Sequence, residues 1–219
     1  MKSSPALNPA VWGKRIAVYL IGTIILAFGI TLNTKTGLGV SPIISIPFSI
    51  SKLCKLNLGT MTFLFYCLLV LFQILLLRRN FRPGQLLQVV MSLVTSAFIN
   101  LFDIVIPMAQ GLPMRLLVLA FAIFFTGLGA SITVGMKIVP NPADGFADVL
   151  GQKLKKGFGF GKNVFDLSCI IISLGIGLIG SGTLLGIGAG TVISMILTGR
   201  VVALCHIKLG PWYKKLVTV

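Results

Sequence analysis

Six long apolar runs, at roughly 16–33, 60–77, 86–107, 114–136, 164–180 and 185–205, govern what this chain can become. Each approaches the roughly 20 residues a helix needs to cross the hydrocarbon core of a bilayer. Lipid offers no partner to backbone N–H and C=O groups, so such a run must pair them internally as a helix. Two shorter apolar segments, about 41–52 and 141–152, follow the first and fourth runs. They are too short to cross as helices and too apolar for ordinary loops. The expected fold is an all-α polytopic membrane protein: a single membrane domain over 1–219, with six transmembrane helices and two short broken or re-entrant helices. An eight-span arrangement, with the short segments crossing, is the competing expectation.

Charge agrees with this class. Only 11% of the residues are charged, against about 25% in soluble domains. The basic residues flank the apolar runs. With six crossings, one face receives Lys2, Lys14, Arg15, Arg78, Arg79, Arg82, Lys137, Lys153, Lys155, Lys156, Lys162, Lys208, Lys214 and Lys215; the other receives Lys35, Lys52, Lys55 and Arg115. Fourteen against four predicts a multi-pass membrane protein with both termini inside, on the cytoplasmic face. The first run exceeds a signal-peptide core and shows no small-residue cleavage site, so it reads as an uncleaved span. The net charge of +15 therefore belongs to topology and anionic headgroups, and the lipid bilayer is the expected partner. No basic stripe interleaved with aromatics is present to track a nucleic-acid backbone.

Several chemistries find no footing. Cys54, Cys67, Cys169 and Cys205 have neither disulfide nor metal spacing. His206 is the single histidine, without a Ser-His or metal-ligand cluster around it, so no enzyme, cofactor or metal is expected. The run Lys155–Lys162, "KKGFGFGK", fails as a phosphate loop. It lacks a glycine five positions before Gly161, and Asn163 stands where Ser or Thr would hold magnesium.

The short segment occurs twice in an equivalent place. A shift of 98 superposes Gly29 on Gly127, Gly37 on Gly135, Pro42 on Pro140 and Phe48 on Phe146. A shift of 102 then pairs Gly59 with Gly161, Phe63 with Phe165, Cys67 with Cys169, Gly84 with Gly186 and Ser92 with Ser194. Two repeats, 14–107 and 112–206, each carry three crossings and one half-helix. Three is odd, so the second repeat enters from the opposite face. Inverted repeats with discontinuous helices at their interface are the plan of many secondary transporters.

Both short segments open with helix-start signals, Ser41-Pro42 and Asn141-Pro142. A helix N-terminus inside a membrane leaves N–H groups unpaired and about half a positive charge. Gly37, Gly39, Ser41 and Asn141 are thus candidates to line a small-molecule site, or alternatively caps and turn glycines of interfacial helices. Asp144 and Asp148 share one helix face, and in the first repeat their places are taken by Ile46 and Ile50. They can bind a cation, a proton or a cationic substrate; the alternative is a favourable dipole contact and pairing with Lys153 or Lys155. Further polar residues inside the runs are Asn100, Asp103, Asp166 and Arg200. Asn100 and Asp103 share a face near an outer end, Asp166 has i,i+4 spacing to Lys162, and Arg200 either snorkels or pairs with a buried aspartate. Gly182, Gly186 and Gly190 form a small-residue stripe at the start of the last run, suited to close helix packing.

Three passages carry a resemblance: "GLGVSPIISIPFSI" with "LNLGTMTFLFYCLLVLFQILLLRRNFRP", then "GFGKNVFDLSCIIISL", then "GIGAGTVISMILTGRVV". From about residue 14 to 206 the chain resembles the bacterial YczE/YyaS/YitT integral membrane proteins. The Gly-x-Gly-x-Ser-Pro element followed by Leu-Gly-Thr is the most specific part. Members usually place an acidic or polar residue early in the second short segment, where this chain has Asn141, Asp144 and Asp148. The resemblance implies a bacterial inner-membrane location and an internal duplication, with transport the usual supposition. The expected function is a small-molecule transporter or permease with its site between the repeats, alone or with a coupling ion. A non-transporting membrane scaffold or regulator is the alternative, and a homo-oligomer is compatible with either.

Overall fold

The computed structural model describes residues 9–217; Lys2, with the rest of 1–8 and 218–219, lies outside the described residues. Eight α-helices follow in order: α1 Pro9–Lys35, α2 Pro42–Cys54, α3 Leu58–Leu77, α4 Leu87–Val105, α5 Leu112–Gly135, α6 Pro142–Lys153, α7 Gly157–Ser181 and α8 Ala189–Val217. All except α2 and α6 are long and apolar enough to cross a membrane. The distribution of side chains is that of a bundle solvated by lipid. Leu64, Leu68, Leu71 and Leu75 form an exposed stripe along α3, whereas Ser45, Ser49, Thr62, Gln73, Gln88 and Ser173 are fully buried. Apolar residues gain nothing by leaving lipid, so polar and small residues occupy the interior instead.

The two central helices, α1 and α5, run antiparallel in close contact. Glycines allow this: a Cβ on Gly29 would strike the backbone of Thr126, one on Gly129 the backbone of Leu26, and one on Gly22 would come within 2.6 Å of Ile132. At one end of the pair the Arg15 guanidinium donates to the Met136 carbonyl at 2.7 Å, and the Tyr19 hydroxyl to the Val139 carbonyl at 3.1 Å. At the other end the Ala109 N–H donates to the Lys35 carbonyl at 2.9 Å.

The short helices stop partway. With 13 and 12 residues, α2 and α6 are about 20 and 18 Å long at 1.5 Å per residue, short of a hydrocarbon core of about 30 Å. α2 lies parallel to α7: the Ser45 hydroxyl bonds the Cys169 carbonyl at 3.3 Å, Ser49 bonds Ser173 at 2.8 Å, and Leu53 meets Gly180. It therefore begins halfway along α7 and ends at its C-terminal end. α6 lies antiparallel to α7, with Ala147 against Gly161 and Gly151 against Gly157. It begins level with the middle of α7 and ends at the opposite face from α2. Six long helices and two half-helices replace the eight-span alternative.

Several boundaries differ from the sequence reading, the first being α1, which begins at Pro9 rather than near 16. α7 starts at Gly157 rather than 164: its first turns lie against α6, where a side chain fits at neither Gly161, which meets Ala147 and Gly151, nor Gly151, which meets the Gly157 carbonyl. α8 continues through Pro211 to Val217 rather than ending near 205. There the buried Tyr213 packs on Gly135 and places its hydroxyl 3.0 Å from Ser131 Oγ, which holds the last turns against α5. Gly182 and Gly186 lie in the α7–α8 loop rather than on a helix stripe. That loop wraps the α1–α2 turn, with the Val40 N–H donating to the Gly186 carbonyl at 2.7 Å and the Gly190 N–H to the Leu38 carbonyl at 2.8 Å.

A candidate site in the cavity between the half-helices

A cavity of about 360 Å³ lies where the half-helices begin. Ser41 and Pro42 enter it from α2, Asn141, Asp144 and Asp148 from α6, and Lys162 and Asp166 from α7. Its remaining wall is mostly apolar: Leu26 and Ile30 of α1, Ala130 and Val134 of α5, Met195 and Val202 of α8.

Local packing explains why the acids face inward. Asn141 caps α6 by accepting the Ala143 N–H at 3.0 Å, which fixes where the helix starts. Gly145, one residue after Asp144, sits under the Gln73 and Gln88 amides, where a Cβ would come within 3.0 Å of Gln73 Oε1. Ala147 and Gly151 occupy the face against α7. With two faces of α6 committed to close contact, Asp144 and Asp148 are left on the face that borders the cavity. The Ser41 hydroxyl, by contrast, makes no cap hydrogen bond on α2.

Three of the chain's four aspartates line this one cavity. Lys162 Nζ stands 3.9 Å from Asp144 Oδ1 and 3.6 Å from Asp166 Oδ2. Asp166 Oδ1 is buried and accepts no hydrogen bond. Asp148 is exposed and accepts from Gln152 Nε2 at 2.8 Å. In place of the alternative, pairing with Lys153 or Lys155, Asp144 meets Lys162 and Asp148 meets Gln152. Sequence spacing exposed the i,i+4 relation of Lys162 to Asp166 but carried no signal that Lys162 also reaches Asp144, since that contact needs α6 folded onto α7.

The other candidates lie outside the cavity wall. Gly37 and Gly39 form the α1–α2 turn, at φ +64° and +107°, where a side chain is disfavoured. Asn100 Oδ1 accepts the Gly59 N–H at 2.8 Å and caps the start of α3. Asp103 pairs with Lys35 at 2.8 Å at the end of the bundle. Arg200 is exposed on α8 and makes no ion pair among the described residues, so the alternative of pairing with a buried aspartate is not formed.

A helical membrane bundle whose two half-helices start at a shared interior cavity is the class of protein this geometry defines. The chain belongs to the family of unknown function DUF6198, which matches residues 13–207. It is similar to the uncharacterized membrane protein YczE of Bacillus subtilis (strain 168), 27% identical over 188 residues, covering 85% of this chain and 83% of YczE. It is also similar to the uncharacterized protein YyaS of the same organism, 27% identical over 176 residues, covering 78% of this chain and 86% of YyaS. No solved structure matches.

Proposed function

We propose that this chain is a bacterial inner-membrane small-molecule transporter whose site is the cavity between two inverted repeats, 14–107 and 112–206, with both termini cytoplasmic. The observation that carries the reading is the convergence of both half-helix starts and three of four aspartates on one interior cavity. Acids within a membrane protein are costly and normally face a functional interior.

The helix contacts support the repeat. α1 packs on α4 as α5 does on α8, α2 on α3 as α6 on α7, and α2 on α7 as α3 on α6. Two pairs break the match: α1 touches α8 where α5 makes no substantial contact with α4, and α3 packs along α4 while α7 makes no substantial contact with α8. A cleft lined by Asn163, Leu167, Met195 and Ile196 lies there, and Met195 also lines the cavity. Two halves alike in sequence but closed in one and parted in the other match what alternating access requires, each half taking either form in turn.

The test is transport by the purified protein in proteoliposomes, using a solute panel under imposed proton or sodium gradients. Gradient-driven accumulation that Asp144→Asn abolishes, with folded protein recovered in normal amount, supports the reading. Absence of flux for every solute, together with a stoichiometric copurifying partner, would favour a scaffold instead.

A further inference from the structure

Lys162 is the one basic side chain lining the cavity among the described residues. It is shared by two carboxylates and held closely by neither. Its distances of 3.6 Å to Asp166 and 3.9 Å to Asp144 exceed the roughly 2.7–2.9 Å of a close charged hydrogen bond. The Asp166 side chain is 5% exposed, yet its Oδ1 accepts nothing. A buried carboxylate with an unmatched oxygen is costly unless a donor or cation arrives.

The sign of the site follows from its charges. Asp144, Asp148 and Asp166 contribute three negative charges when all are ionised. Lys162 returns one, and two helix starts return about half a charge each. The balance is negative, so anions are disfavoured despite the helix ends. A bare metal ion is a poor fit, because among the described residues no three His, Cys, Asp or Glu side chains converge on one point. The apolar wall calls instead for a ligand with an apolar body, and about 360 Å³ falls within the range of small-molecule sites.

We propose that the cavity binds an organic monocation with an apolar body, whose ammonium takes the position between Asp144 and Asp166 that Lys162 occupies in the free protein. Lys162 is then a tethered stand-in for the ligand's charge, displaced on binding. The cleft between α7 and α8 supplies a lateral entry for the apolar body. This deepens the transporter reading and rests on it for the location of the site.

The test is calorimetric binding to the full-length protein in nanodiscs. The cationic probes are 2-phenylethylamine, cyclohexylmethylamine and benzyltrimethylammonium; 2-phenylethanol and phenylacetate are the neutral and anionic counterparts. At least one cation binds and the counterparts do not. Asp166→Asn weakens that binding about tenfold or more, and Lys162→Met tightens it by about the same factor, the change expected from roughly one charge interaction. Binding of phenylacetate in preference to the amines, or of no cation at all, overturns the proposal. Lys162→Met that melts lower and binds no tighter makes Lys162 a structural brace and overturns its role as stand-in. Failure of the transporter reading looks different: a cation that binds as described but does not cross proteoliposomes leaves the site intact and removes transport.

Discussion

Gln73 and Gln88 face each other inside the bundle and exchange two amide hydrogen bonds, Gln73 Nε2 to Gln88 Oε1 at 3.1 Å and Gln88 Nε2 to Gln73 Oε1 at 3.3 Å. Both are fully buried, and Gln73 also donates to the Pro142 carbonyl at 3.2 Å. This pair joins the α3–α4 hairpin to the start of the second half-helix, beside the acids. Gln73→Leu or Gln88→Leu alone leaves a buried amide unmatched and should cost about 1–3 kcal/mol. The double variant should cost less than the two losses summed. Unfolding in micelles measures all three, and simple additivity would show that the amides act independently.

The close approach of α1 and α5 depends on the absence of side chains at Gly29 and Gly129. Gly129→Val should destabilise by about 1–3 kcal/mol through forced overpacking, and Gly29→Val similarly. Gly13, on the same helix, has no atom within 4 Å of a would-be Cβ. Gly13→Ala should therefore be neutral or stabilise by up to about 1 kcal/mol, the helix-propensity difference. Equal melting temperatures for the Gly13 and Gly129 variants would contradict the tight crossing.

Lys55 follows the end of α2 and Lys155 the end of α6, at opposite ends of α7. Single cysteines at these positions, in a cysteine-free background, should differ in reactivity toward an impermeant thiol reagent. Lys55→Cys labels in intact cells, and Lys155→Cys labels only after lysis. Labelling of both, or of neither, before lysis would rule out the inverted arrangement.

Arg200 is exposed on α8 next to Val201, which packs on Gly127 well inside the length of α5. A guanidinium at that depth costs insertion energy, about 2.5–3.5 kcal/mol on translocon scales. Arg200→Leu should leave the melting temperature unchanged or raise it. A fall of several degrees would reveal a partner, such as a second copy of the chain, gripping that face.

The sequence by itself determined the class of the protein, its six long helices and its two half-helices. Those features follow from run length and composition, because in lipid each run must satisfy its own backbone. The helix starts at Ser41 and Asn141 were legible for the same reason, since caps are local, although only Asn141 uses its side chain as one. Where the apolar run lapses, composition no longer decides: α8 continues past 205 because Tyr213 finds a place on α5, not because its own residues demand a helix. The tertiary structure alone decided which charges meet. Asp166 and Lys162 share a helix face and could be paired by counting, but Asp144 joins them only because Gly151 and Gly161 let α6 lie close on α7. Asn100 and Asp103, equally polar on paper, were drawn to a helix cap and a surface pair. A carboxylate's surroundings come from helices distant in the chain, and spacing within one helix cannot specify them.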